Sequence, residues 1–240
     1  MGKTTLIVGK EAPAGNVFAE VAMKHQRSVV LSVGQEEKES DEQQNLPSTS
    51  WNIVPWNRTS SLSARSFIVK GEHLLTDITE FIVIFDANWY LSDFNTLNPT
   101  TCSRASDSMI TSYFFMVSEI MSHIKKQGHG SVIFLFKSLP TVDLATKKEG
   151  EEKNRILVSA SAAAFRGLAE SVALEYASQE YSKVLLAKAD SGIDDTRFAT
   201  WLFEALDSPN THGAKIDSRN GPQWLKLSNK PSSGFSFFKR

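Results

Sequence analysis

The chain has 240 residues, of which 41% are hydrophobic, with 26 Lys and Arg against 27 Asp and Glu and a single Cys. This length can bury a large core, and one cysteine can form neither an intramolecular disulfide nor a thiolate metal cluster. The net charge of −1 offers no basic face for general nucleic-acid binding. No apolar run approaches the length of a membrane span, and the short run after Met1 is too brief for a signal peptide. We therefore expect a cytoplasmic protein with no metal site, no membrane contact and no nucleic-acid partner.

Short apolar runs alternate with longer helical stretches, which is typical of a βαβ array. The predicted strands, in chain order, are Thr4–Val8, Ser28–Val33, Asn52–Val54, Phe81–Phe85, Ser131–Phe136 and Lys183–Ala187. The predicted helices are Asn16–His25, Ser61–Val69, Asp107–Lys126, Leu157–Ser178 and Asp195–Leu206, the last with Asp194 as its N-cap. Several strands are apolar on both faces, as strands covered by helices on two sides must be. The sequence predicts an α/β fold with one Rossmann-type, doubly wound, mostly parallel sheet.

The polar stretches lie within a single predicted domain over residues 1–240. An acidic loop, Gln35–Gln44, follows the second strand, and a charged insertion over 141–155 separates the fifth strand from the next helix. The insertion is either a lid over the carboxyl edge of the sheet or a surface loop. An irregular basic tail is predicted over 218–240.

The first strand is followed by a turn that begins at Gly9, ends at Gly15 and leads into a helix. Such a turn lets backbone N–H groups and a helix N-terminus hold a pyrophosphate. Here only two of the three usual glycines are present, and Pro13 has no N–H to donate. The second strand ends in Val33 with Glu36 as the nearest acid, so an acid that would bind ribose hydroxyls is missing. The turn is either a weakened phosphate site or a connection that simply requires small residues.

The helical segment Val158–Ala177 is small-residue-rich and contains Gly-Leu and Ala-Leu-Glu. It resembles the active-site helix of the short-chain dehydrogenase/reductase family, which reads Tyr-x-x-x-Lys before those residues. Gln127–Ser131 is similar to the family's loop before its fifth strand, Gly9–Gly15 to its glycine-rich turn, and Ser191–Thr196 to the loop after its sixth strand. The resemblance covers nearly the whole chain and implies the Rossmann fold.

The resemblance also places the family's catalytic residues, and none of them is present. The tyrosine falls on Val158, the lysine on Ala162, the serine on Lys137, and the helix asparagine on Met109. Valine and alanine have no titratable group to give a proton to a developing alkoxide. We therefore expect a catalytically inactive or strongly impaired relative of NAD(P)-dependent oxidoreductases, with a binding, regulatory or subunit role.

The same resemblance implies positions for a cofactor and for partner subunits. Gly9, Gly15, Asn57 and Gly192 are the weak candidates for NAD or NADP binding, and we expect that binding to be weakened. The helices 107–126 and 157–178 correspond to the family's subunit interface, which implies a homodimer or homotetramer. The small residues of the second helix could instead pack only against the chain's own sheet.

Three residues near the vacant catalytic positions are candidate substitutes. Lys137 ends the fifth strand, Ser138 follows it, and Asp86 ends the fourth strand at the same edge of the sheet. The alternative function is an active NAD(P)-dependent oxidoreductase that uses Lys137 and Ser138 as displaced catalytic groups. A hydrolase or lyase built on Lys137 and Asp86 is a third. Against both stands a structural interpretation, in which an Asp86–Lys137 ion pair fills the vacated pocket.

Overall fold

The computed structural model describes residues 2–34, 50–140, 155–208, 216–217 and 221–227. The strands of these residues are β1 Lys3–Ala12, β2 Arg27–Gly34, β3 Asn52–Trp56, β4 Glu80–Asp86, β5 Ser131–Lys137, β6 Lys183–Ala189, β7 Ile216–Asp217, β8 Gly221–Pro222 and β9 Leu225–Leu227. Seven of them form the main sheet, which is parallel, in the order β3-β2-β1-β4-β5-β6-β9. The other two, β7 and β8, form a separate antiparallel pair. The predicted fold class is confirmed, and all six predicted strands are present.

Helices cover both faces of this sheet. They are α1 Asn16–Lys24, α2 Ser61–Leu75, α3 Ala87–Tyr90, α4 Pro99–Ser106, α5 Ser112–Gln127, α6 Ile156–Glu175 and α7 Asp195–Asp207, with a π-helical segment, Asp107–Thr111, before α5. The predicted helix over 107–126 is therefore split, because its first five residues are π-helical. Asp194 caps α7 as predicted, since its carboxylate accepts the Arg197 N–H at 2.8 Å.

Alternate side chains of each strand pack into two different cores. On β1, Leu6 and Val8 face a core built with α2, α5 and α6, whereas Ile7 faces a core built with α1 and α7. The first core is rich in aromatic rings, including Phe85 and Phe165, whose ring centroids lie 5.1 Å apart. The two cores fix the sheet between two helical layers and leave its carboxyl edge as the place where a ligand would enter.

Strand β1 is longer than the sequence predicts. The predicted turn over 9–15 is wrong for its first half, because the strand continues through Gly9 to Ala12, which pairs with Val33 of β2 after a register shift. Gly9 has a φ of 96°, a left-handed value that favours glycine. Only a short turn then separates Ala12 from α1.

Part of the predicted irregular tail is ordered into the sheet. Leu225–Leu227 adds β9 beside β6, with Lys188 paired to Lys226. The remainder of 218–240, apart from residues 221–227, lies outside the described residues, as does the acidic loop, Gln35–Gln44. Of the charged insertion, only Arg155 is described, and it donates to the Pro140 carbonyl. Neither interpretation of the insertion is tested.

The opposite, amino edge of the sheet is held by an ion cluster. Arg27 donates from Nε to Glu80 at 2.7 Å and from Nη2 to Asp207 at 2.9 Å, which ties β2 and β4 to the end of α7. A cavity of about 450 Å³ lies at this edge, lined in part by Thr79 and Lys183. It is therefore remote from the carboxyl edge, where the sequence predicts the functional site.

Among the described helices, α6 alone is long and apolar enough to cross a membrane by length and composition, with a mean hydropathy of 1.3. Its inner side packs on the sheet through Val158, Phe165 and Ala169, all buried. Helices at the core of globular proteins have the same composition. Its outer side exposes Ile156 and Leu174.

Candidate functional site

Four charged side chains meet at the carboxyl edge of the sheet. Lys10 of β1 lies between two carboxylates, with its Nζ 2.6 Å from Asp86 of β4 and 2.5 Å from Asp195 at the start of α7. Lys137 of β5 lies on the other side of Asp195, at 2.7 Å from Nζ to Oδ1. We call these four residues the carboxyl-edge ion cluster. It closes the sheet edge by tying three strands to one helix.

The ion pairs of the cluster shift the pKa values of Lys10 and Asp195. Burial alone lowers the pKa of Lys10, but the negative charges of Asp86 and Asp195 outweigh it and hold that pKa above its ordinary value. Burial also raises the pKa of Asp195, yet hydrogen bonds from Lys10 and Lys137 leave it lower than usual. Lys10 and Asp195 are thus both charged at neutral pH. Asp86 has a further role, since its Oδ1 accepts the Asn88 N–H at 3.0 Å and so caps α3.

The predicted Asp86–Lys137 pair is present but is not the closest contact of either residue. The Lys137 Nζ lies 3.9 Å from the Asp86 Oδ2, whereas each residue has another partner within 2.7 Å. The sequence therefore identified half of the cluster. It missed Lys10, which was assigned to a turn, and Asp195, which was read only as the start of a helix.

A second charged group, Arg58, fills the crevice between β1, β3 and α5. Its Nη2 lies 2.7 Å from Glu11 Oε1 and donates to the Gly9 carbonyl at 2.9 Å, while its Nη1 donates to the Ser108 carbonyl at 2.8 Å. Burial alone lowers the pKa of Arg58, but the combined attraction of Glu11, Tyr90 and Tyr113 outweighs it and raises that pKa. The sequence prediction missed both Arg58 and Glu11.

Aromatic rings enclose the Arg58 guanidinium. Its carbon lies 4.6 Å from the ring centroid of Trp56, 5.4 Å from those of Tyr90 and Tyr113, and 5.8 Å from that of Trp89. These distances fall within the range of cation–π attraction. Trp56 and both tyrosines are almost completely buried. We call Arg58, Glu11 and these four aromatic residues the arginine cage.

The two phenols of the cage are neutral hydrogen-bonding groups. Burial raises the pKa of Tyr113 to about 12 and raises that of Tyr90 well above its ordinary value. Their hydroxyl oxygens lie 2.8 Å apart, and Tyr113 donates to the Ile84 carbonyl at 2.6 Å. Both hydroxyls are therefore engaged in hydrogen bonds inside the cage.

The turn between β1 and α1 has few free donors for a phosphate. The Gly15 N–H donates to the Glu11 carbonyl at 2.8 Å, the Asn16 N–H to Pro13 at 3.1 Å, and the Phe18 N–H to Gly15 at 3.0 Å. Lys10, Glu11 and Ala12 are all buried, so the backbone before the turn is covered by the chain itself. These residues do not fit a pyrophosphate held on the backbone of this turn.

The other predicted cofactor positions are dispersed. Gly9 lies inside β1, with its carbonyl accepting from Arg58, and Gly192 lies in an exposed turn after β6. The Asn57 Oδ1 accepts from the Thr59 N–H and hydroxyl at 3.0 and 2.8 Å, so it closes a local turn. Gly15 approaches the Lys10 carbonyl closely, and a Cβ there would lie 2.0 Å from that oxygen. Close packing against the Lys10 carbonyl therefore explains why position 15 is a glycine.

The positions that the resemblance assigns to the family's catalytic residues lie in the core or in the ion cluster. Met109 and Val158 are completely buried, and Ala162 is 9% exposed. Ser138, the candidate next to Lys137, donates its backbone N–H to Ala189 at 3.2 Å. Among the described residues, no group of three or more His, Cys, Asp or Glu could hold a metal ion.

Comparison with known proteins places this architecture. No family model matches the chain. An uncharacterized protein of Treponema pallidum (strain Nichols) is 24% identical over 184 residues, which are 76% of each chain.

Solved structures are similar over nearly the whole chain. A putative short chain dehydrogenase/reductase family oxidoreductase from Aeromonas hydrophila subsp. hydrophila has a TM-score of 0.69 at 11% identity, covering 95% of this chain and 99% of its own. An alcohol dehydrogenase from the archaeon Thermococcus sibiricus, complexed with 5-hydroxy-NADP, has a TM-score of 0.62 at 12% identity, covering 94% and 95%. A short-chain dehydrogenase from Streptomyces avermitilis has a TM-score of 0.64 at 14% identity, covering 95% and 88%. The chain has the fold of the short-chain dehydrogenases/reductases.

Proposed function

We propose that this chain is a non-catalytic protein with the short-chain dehydrogenase/reductase fold, and that it acts in the cytoplasm as a binding, regulatory or structural subunit. The observation that carries the proposal is the occupation of the carboxyl edge by the chain's own side chains. The carboxyl-edge ion cluster lies at the ends of β1, β4 and β5, and the arginine cage fills the space beside it. A fold supports a function only through its site, and here the site is filled.

The chemistry of the edge supports the same proposal. Val158 and Ala162 have no group that could protonate a carbonyl oxygen, and both face the interior. Lys137, the substitute in the alternative function, is ion-paired with Asp195 at 2.7 Å. General acid–base help contributes roughly 10² to 10⁴ in rate. A protein without the proton donor should therefore show little or no carbonyl reduction.

The first test is the binding of nicotinamide cofactors. We expect isothermal titration with NADH and with NADPH to show no binding at micromolar concentration, and no reductase turnover against a panel of aldehydes and ketones. Thermal unfolding with and without 1 mM of each cofactor, a concentration of about the upper end of ordinary KM values, should give the same midpoint. An active enzyme of the same fold serves as the positive control.

The same experiment decides the alternative, an active oxidoreductase that uses Lys137 and Ser138. Steady-state NAD(P)H oxidation that is lost in Lys137→Ala, but kept in a variant of an exposed lysine such as Lys125→Ala, would overturn the non-catalytic proposal. Micromolar cofactor binding without turnover would contradict the expectation of weakened binding while leaving the loss of catalysis in place.

The subunit role is proposed to use the outer side of α6 together with α5. Small residues, Ala160, Ala163 and Gly167, are exposed along α6, and an added Cβ at Gly167 would meet nothing within 4 Å. Ile156 at one end of α6 is 61% exposed, and Phe114 on α5 is 51% exposed. Small residues let two helices approach closely, and exposed apolar side chains at their ends favour burial against a partner.

Sedimentation velocity checks this interface. We expect the wild-type chain to form a homodimer or homotetramer at micromolar concentration and Ala163→Arg to reduce it to a monomer, because a long cation would separate the helices. Leu62→Arg, at an exposed position of α2, should leave the oligomer intact. A wild-type monomer, or an Ala163→Arg protein of unchanged mass, would contradict the proposed interface.

A further inference from the structure

We infer that the arginine cage is a guanidinium-binding site that the chain fills with its own Arg58, so that a side chain serves as a built-in ligand of the crevice. The inference rests on the proposed function, since it concerns the same filled edge. To the proposed function it adds the chemical class that the crevice recognises, a planar guanidinium cation, and the groups that recognise this cation.

Two backbone carbonyls accept hydrogen bonds from the Arg58 guanidinium, and one carboxylate forms an ion pair with it. A guanidinium carries five N–H groups in one plane. Here two backbone carbonyls, of Gly9 and Ser108, and one carboxylate, of Glu11, lie between 2.7 and 2.9 Å from its terminal nitrogens. The Ser112 hydroxyl lies at 3.5 Å from Nη1. Carbonyls and a carboxylate accept only, so the donors must come from the ligand.

The aromatic rings supply the second half of the recognition. They come from separate elements, with Trp56 at the end of β3, Trp89 and Tyr90 on α3, and Tyr113 on α5. A flat, weakly hydrated cation stacks on such rings better than a compact ammonium does. One cation within 6 Å of four ring centroids is the arrangement expected of a cation-binding cage.

The site would remain when its ligand is removed. The cage residues belong to elements with their own packing, since Trp56, Tyr90 and Tyr113 are part of the main core. Arg58 itself lies in the short connection between β3 and α2 and enters the crevice through its side chain. Truncation of Arg58 would therefore leave a space with three acceptors, one of them the buried carboxylate of Glu11. Such a space should accept a small guanidinium from solution.

Chemical rescue tests the inference. We expect Arg58→Ala to lower the midpoint of thermal unfolding by about 10 °C, because it leaves a buried carboxylate without its partner. Millimolar methylguanidinium should return at least half of that loss, whereas methylammonium at equal concentration should return almost none. The wild type and Arg65→Ala, which removes an exposed arginine of α2, should respond equally little to both compounds.

If Arg58→Ala does not fold alone, the recovery of folded protein during refolding with either cation gives the same comparison. Arg58→Lys adds a second variant, which keeps the charge but loses the planar fork and should lose at least half as much stability as Arg58→Ala. Equal rescue by both cations, no rescue, or an Arg58→Lys protein as stable as the wild type would overturn the inference. NADPH-dependent turnover by the wild type would instead contradict the proposed function and leave the rescue result unaffected.

Discussion

Replacing Lys10 with methionine is expected to lower the free energy of unfolding by about 3 to 5 kcal/mol, the usual cost of removing one partner from a buried ion pair. The side chain of Lys10 is 7% exposed and contacts both Asp86 and Asp195. Without it, Lys137 at 3.9 Å is the cation nearest to the Asp86 carboxylate among the described residues. Chemical denaturation at neutral pH measures the loss.

The pH dependence separates this loss from a packing defect. In the wild type the pKa of Asp195 is below its ordinary value, so its contribution to stability is present above the unfolded pKa of about 3.9 and is lost as the pH falls through the folded value. The difference between wild type and Lys10→Met should therefore shrink below about pH 4. Lys125→Met, at an exposed position of α5, should stay within about 0.5 kcal/mol of the wild type. A Lys10→Met protein within that same range would show that the cluster does not hold the edge.

Replacing Gly9 with alanine should prevent stable folding, because the added methyl group meets a backbone atom at a position that also has a left-handed φ. A Cβ at this position would lie 2.1 Å from the Ile84 carbonyl oxygen and 2.9 Å from the Tyr113 hydroxyl. The backbone φ of 96° adds strain of about 1 to 2 kcal/mol for any residue with a Cβ. Because the nearest atom is a backbone carbonyl oxygen of β4, the clash cannot be relieved by a side-chain rotation. We expect little folded protein, seen as loss of a cooperative thermal transition.

Gly128→Ala is the matched control for this change. Its φ is 83°, a similar left-handed value, but an added Cβ would meet nothing within 4 Å. The control variant should therefore lose only about 1 to 2 kcal/mol of stability, from backbone strain, and should keep a cooperative transition. Similar losses in the two variants would mean that the contact between Gly9 and β4 is unimportant.

The sequence predicted the scaffold well because strand burial leaves a strong pattern. Runs such as Phe81–Phe85 are apolar on both faces, and the structure places them in the centre of the sheet. Helix α4 was missed although Asn98 and Pro99 are a helix-start signal, and the Asn98 carboxamide does accept the Thr101 N–H at 2.9 Å. That dipeptide therefore marks the helix start in the sequence itself.

The site was harder to predict because its key residues carry misleading local signals. Gly9, Lys10, Glu11 and Pro13 together look like a turn, since glycine, proline and charged residues interrupt strands. Pairing of Ala12 with Val33 of β2 overrides this preference, and the charges of Lys10 and Glu11 are satisfied by residues far away in sequence. No spacing rule links Glu11 to Arg58. Asp86 and Lys137 were found because each ends a neighbouring strand, and that position alone brings them to one edge.

The arginine cage and the carboxyl-edge ion cluster hold the carboxyl edge of the sheet closed with groups that belong to the chain itself. A protein that binds a free cofactor gains stability in proportion to the logarithm of the cofactor's concentration. Arg58 and Lys10 are covalently part of the chain, so their contacts form at an effective concentration fixed by the fold. The contacts that close this edge therefore need no second molecule, and they form at the same effective concentration in every folded copy of the chain.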